Sequence, residues 1–145
     1  MQQRYNLNGF TFKKEERLCS QKVLDAAFAQ GKSFAIYPLR LIWLPATLPT
    51  TYPAQILFSV PKRAFKHANE RNLLKRRMRE AYRKNKKMLY DYLLQQNAQC
   101  AIIIIYTGKQ AVDYGEVEAK LILTLQKFIE RHNEKPVEHV TKGID

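Results

Sequence analysis

The run Ala101-Ile-Ile-Ile-Ile-Tyr106 constrains the fold more than any other stretch of the chain. Four of its residues branch at Cβ, which favours extended backbone. Its apolar character is unbroken rather than alternating, which marks a strand buried within a sheet, and Thr107 and Gly108 bound it. A bilayer span needs about 18 or more apolar residues, so this run is a core strand and not a membrane segment. Neighbouring strands and covering helices must come from the rest of the chain.

They can be found on either side. Residues 20–30 carry Val23, Leu24, Ala27 and Phe28 at helical spacing, with Ser20 as N-cap and Gly31 as stop. Residues 33–44 are rich in aromatic and aliphatic side chains, which suits strand, with Pro38 at an edge or a break. Residues 45–53 hold three prolines and read as a loop, and residues 54–60 form a second strand closed by Pro61. A helix is predicted over residues 69–84, with the option of running on through Met88, Tyr92 and Leu93 to Gln96. Residues 116–131 form a terminal helix with Val117, Leu121, Leu125 and Phe128 along one side. The expected order is α-β-β-(β)-α-β-α, an α+β fold with helices packed on a small mixed sheet. At 145 residues one domain is expected, over residues 1–132, with a disordered tail at 133–145.

Charge gives the first functional signal. Lys and Arg number 25 against 13 Asp and Glu, a net of +12, and the pI is near 9.8, so polyanions are the expected partners. Residues 61–87 alone hold twelve basic residues against Glu70 and Glu80, a net of +10. Such a concentration repels itself and costs stability unless a counter-ligand is bound. On a helix, Asn72, Lys75, Arg76, Arg79 and Arg83 fall within an arc of roughly 100°, while Leu74, Met78 and Ala81 point the other way. One side can pack on the sheet while the other offers guanidinium forks and an ammonium to phosphate oxygens.

Other chemistries find less support. Met1 to Asn8 is polar and no apolar stretch follows, so a secretory signal is not expected and the protein is expected in the cytoplasm. Cys19, Cys100, His67, His132 and His139 form none of the spacings that hold zinc, so no metal-ligating side chains are assigned and the cysteines are expected to be reduced and structural. No catalytic residue is assigned either, because no carboxylate cluster for two metal ions and no His pair flanked by Lys can be found.

The stretch Phe58-Ser-Val-Pro-Lys-Arg63, followed by Glu70-Arg-Asn-Leu-Leu-Lys-Arg-Arg-Met-Arg-Glu-Ala-Tyr82, resembles the signature of the bacterial ribonuclease P protein subunit. Arg71, Asn72, Lys75, Arg76, Arg79, Glu80, Ala81 and Tyr82 match it, Leu73 departs from the arginine of its R-N-R core, and residues 64–70 lack the glycine many members carry. The resemblance covers about residues 10–130. It implies a two-layer α-β sandwich with a left-handed βαβ crossover, against the usual right-handed rule. It further implies that Lys62, Arg63, Arg71, Asn72, Lys75, Arg76, Arg79 and Arg83 meet the catalytic ribonuclease P RNA, and that a cleft with Leu24, Phe28 and Ser33 takes the single-stranded 5′ leader of precursor tRNA. For Leu24 and Phe28 the helical spacing alone fits core packing equally well.

On that resemblance the chain is an accessory subunit that binds the leader and neutralises RNA charge. Catalysis then lies in the RNA with its Mg²⁺, no cofactor is held by protein side chains, and the protein without RNA is a monomer or weak dimer. A general structured-RNA binder, ribosomal or chaperone-like, is the rival reading. A stand-alone nuclease, a DNA binder and a membrane protein fit less well.

Overall fold

A computed structural model describes residues 11–134; of the tail expected at 133–145, residues 135–145 lie outside the described residues, and Asn133 belongs to the terminal helix instead. Its elements are α1 (Gln21–Gln30), β1 (Lys32–Ile36), β2 (Leu39–Pro45), β3 (Ala54–Ser59), α2 (Ala68–Asn85), α3 (Lys87–Gln95), β4 (Cys100–Tyr106) and α4 (Tyr114–Asn133), with one 3-10 turn, Lys14–Glu16, ahead of them. The caps of α1 are those the sequence names: the Ser20 hydroxyl accepts from the Val23 N–H, and the Gly31 N–H donates to Ala27 O. Gly31 is required by close approach, because a Cβ there would stand 2.4 Å from Ala27 O and 2.9 Å from Trp43 O.

The sheet runs β1-β2-β4-β3, with β1–β2 and β2–β4 antiparallel and β3–β4 parallel. The apolar run thus occupies a central strand. Pro38 breaks the region read as one strand into the β1–β2 hairpin, its ring fixing φ and removing a ladder donor. The crossover from β3 to its parallel neighbour β4 passes through α2 and α3.

Strand register sorts side chains into two faces. On one face lie Phe34, Leu41, Ile104 and Phe58 in one row and Trp43, Ile102 and Ile56 in the next, covered by α2, α3 and α4. Trp43 meets Phe34 and Phe128 edge-on, with centroids 6.1 and 5.4 Å apart. The other face carries Ser33, Ile42, Ile103 and Leu57 in one row and Ala35, Arg40, Ile105 and Ser59 in the next, and α1 is the one helix packed on it, joined by Leu18 and Leu48.

Two expectations change. The helix that was allowed to continue to Gln96 is two helices meeting at Lys86. The Lys86 side chain turns inward to Glu16 and the Asn85 amide donates to Ala81 O at that junction. Cys19 is exposed rather than structural, whereas burial in β4 pushes the Cys100 thiol up to about 12.

Candidate RNA interface

Leu74, Met78, Ala81 and Tyr82 are fully buried and fix α2 on the sheet. The opposite side therefore has a set orientation. Asn72 and Arg76 are exposed, while Lys75 and Arg79 are half-buried, so Arg79 is less open than its helical position suggests. Lys62 and Arg63 are exposed in the turn that follows β3. None of Lys62, Arg63, Lys75, Arg76 and Arg79 has an ion pair among the described residues.

Not every cation of this segment is available to a ligand. Arg71 donates to Phe65 O at 2.7 Å and to Lys66 O at 2.9 Å, bracing the turn into α2. Arg77 is tied to Val112 O. Arg83 pairs with Glu80 one turn back, and its hydrogen bond holds the Glu80 carboxyl below the usual carboxylate range. Lys86 is buried against Glu16, so one of the twelve charges is neutralised inside the fold. Sequence counting alone could not separate these structural cations from the free ones.

The three cleft residues also part company. Leu24 is half-buried and packs into the cluster of Ala27, Ile42 and Ile103. Phe28, one turn on, stands 58% exposed. Ser33, at the end of the same sheet face, accepts from Arg40 at 2.9 Å. That bond places a guanidinium which the sequence reading missed on the half-covered face, where the row Ala35, Arg40, Ile105, Ser59 leads towards the C-terminal end of β3. There a cavity of about 500 Å³ is lined by Pro61, Arg63, Ala64, Ile105, Tyr106, Thr107 and Lys109. Arg63 and Lys109 flank it, and Ile105 and Tyr106 give it an apolar floor.

A basic helix face beside a half-covered sheet, whose covering helix carries an exposed aromatic ring and whose far end has two flanking cations, is the make-up of an RNA-binding α+β module. The Ribonuclease P family model matches residues 12–129. The ribonuclease P protein component of Porphyromonas gingivalis is 34% identical over 109 residues, covering 75% of this chain and 80% of that one. The ribonuclease P protein structure from Thermotoga maritima superposes with a TM-score of 0.62 at 25% identity, over 77% of this chain and 96% of that one. The Staphylococcus aureus protein shares the fold at a TM-score of 0.58 and 18% identity, over 79% and 97% of the two chains. The chain belongs to the ribonuclease P protein family, whose members are accessory subunits of the tRNA-processing endoribonuclease.

No three His, Cys, Asp or Glu side chains come together among the described residues, and Glu80, the carboxylate nearest the basic arc in sequence, is engaged by Arg83 and Lys84. No helix of the described residues is long and apolar enough to cross a membrane.

Proposed function

We propose that the protein binds ribonuclease P RNA through Lys62, Arg63, Asn72, Lys75, Arg76 and Arg79, with Arg71 and Arg83 shaping that surface, and that its half-covered sheet face holds the 5′ leader of precursor tRNA. The observation that carries this is the unneutralised outer side of α2: cations without carboxylate partners among the described residues, on a helix whose inner side is locked in the core. Guanidinium forks bind phosphate oxygens in pairs, and neutralising phosphates releases condensed counterions, so affinity is gained without base reading. On the other surface, Phe28 offers a ring on which a base can stack, while Arg40, Arg63 and Lys109 supply charge along the strand's path. The protein's part in cleavage is then to hold substrate and RNA subunit together against their mutual repulsion. Without RNA the self-repulsion of its net charge of +12 favours a monomer or weak dimer, which sedimentation of the free protein would check, and its place of action is the cytoplasm.

A salt series tests this reading. If about five phosphates are neutralised, log K for the RNA subunit falls with log salt at a slope of roughly −3.5 to −4.5. A slope near zero removes the polyanion surface. Requirement of the protein for 5′ maturation at physiological salt separates this role from that of a general RNA binder.

A further inference from the structure

Chain ahead of α1, rather than another strand, closes the outer edge of β3. Arg17 bridges Ile56 in parallel, and the Leu18 N–H donates to Ile56 O at 3.0 Å. Phe12 and Leu18 anchor the two ends of this strap in the core, and between them the polar segment Lys13-Lys-Glu-Glu-Arg17 is held by a buried polar clip. Glu16 is completely buried, pairs with the Lys86 ammonium, and accepts from the Tyr90 hydroxyl at 2.5 Å and the Lys13 N–H at 2.8 Å. Lys86 also donates to Thr11 O. Removing one partner of such a pair would strand a charge in the interior, so the clip specifies where the strap sits.

The strap puts Arg17 in a particular place. Its guanidinium lies 5.4 Å from the centroid of the Phe12 ring, which itself stands edge-on to Phe58 and Tyr82. Arg17, Lys75 and Arg79 line a single cavity of about 430 Å³ whose apolar walls include Phe12, Leu57 and Phe58. No carboxylate lines it, and none of the three cations has an ion pair among the described residues. The size is that of a small-ligand site. Three like charges around one cavity repel, and an anion between them turns that repulsion into attraction. Forked and point-charge donors beside an aromatic wall suit a phosphate carrying a base or ribose.

We propose that this cavity receives one nucleotide of the ribonuclease P RNA, its phosphate held by Arg17, Lys75 and Arg79, with Glu16, Lys86 and Tyr90 positioning Arg17. The proposal rests on α2 being the RNA-subunit face and goes beyond it, since Arg17 lies outside the signature segment. The RNA subunit is favoured over the leader because two of the three cations belong to α2. The cavity also shares no lining residue with the one at the C-terminal end of β3 and β4.

The test uses the full chain, its cognate RNA subunit, and precursor tRNA with a full or a one-nucleotide leader, in a salt series at constant Mg²⁺. Arg17→Gln should weaken RNA-subunit binding about tenfold and flatten the salt slope by roughly 0.7–0.9, one phosphate's share, with the thermal midpoint unchanged. Arg17→Lys should restore the slope. Arg17→Gln combined with Lys75→Gln should lose less than the product of the single losses, because both meet one phosphate. Tyr90→Phe, which deletes one bond to Glu16 and keeps the ring, should give a smaller loss that vanishes in the Arg17→Gln background. If Arg17→Gln changes neither affinity nor slope while Arg76→Ala and Arg79→Ala weaken binding, this inference is overturned and the RNA face stands. If those two are silent as well, the RNA face fails and the inference with it. A loss confined to the full-leader substrate would assign the cavity to the leader and overturn the proposal as stated.

Discussion

Beneath α2, α3 and α4 the sheet is closed except at its β1 edge, where Lys32 is exposed and Ile36 half-buried, and large side chains such as Trp43, Phe58, Ile104 and Tyr106 are buried. On the other face the single ten-residue helix α1 covers Ala101 and Ile103 but leaves Ser33, Ala35, Arg40 and Phe28 open to solvent. A sheet this small could have been covered on both sides. The leader proposal rests on that asymmetry: Phe28 stands 58% exposed on the helix above the open row, and Arg40 lies within that row. The sealed side has its own division: the helix that closes it turns its free cations outward.

The largest effect should come from that outward side. Replacing both Arg76 and Arg79 with Ala removes two charge-assisted contacts worth about 1.5–3 kcal/mol each, and binding to the RNA subunit should fall accordingly while the unfolding transition stays put. Equal affinity for the double variant and the native chain in a filter-binding series would break the assignment of α2 as the RNA face.

Stability should separate the two faces next. Ile104→Ala on the sealed face should cost about 2–5 kcal/mol in denaturant unfolding, the range for emptying a packed site. Phe28→Ala on the open face should stay within about 0.5 kcal/mol of the native chain. A large loss at Phe28 would return it to the core.

The same Phe28→Ala chain separates leader binding from assembly. Its affinity for precursor tRNA with a full leader should drop by about 1–3 kcal/mol, the value of one stacked base, with assembly on the RNA subunit unaffected. A substrate whose leader is cut to one nucleotide cannot reach the cleft and should bind both chains alike. An equal loss on both substrates would sink the leader cleft.

Much of this division was legible in the residues. The isoleucine run of β4 declares a central strand because neither of its faces is polar, and Ser20 and Gly31 mark the ends of α1 by local chemistry alone. The arc on α2 follows from helical periodicity. What stayed hidden depends on contacts between distant residues. Glu16 reads as one charge in a polar leader, and only the fold brings Lys86, 70 positions away, to bury it. Arg71 and Arg77 look like ligand-binding cations until the carbonyls of Phe65, Lys66 and Val112 are placed beside them. Arg40 sits in a hydrophobic strand, and alternation alone could not say that its face would be the half-covered one.

The smallest predicted effect concerns acid and should fall on the sealed side. His132, near the end of α4, shares a 2.7 Å hydrogen bond with the Tyr92 hydroxyl of α3 and lies against the Phe128 ring. Desolvation by this packing, and secondarily the charge of Lys32 on β1, hold its pKa below the ordinary 6.5. The fold therefore prefers the neutral imidazole. The stability gained from that preference is fully present above the unfolded pKa and is lost as pH falls through the lower folded value, so the window opens below about pH 6.5. Between pH 7.5 and 5 the native thermal midpoint should decline by about a degree or two more than that of His132→Gln, which keeps a polar group for Tyr92 but cannot titrate. Parallel pH profiles for the two chains would show that folding does not favour the neutral imidazole, and the α3–α4 packing would then carry no pH dependence.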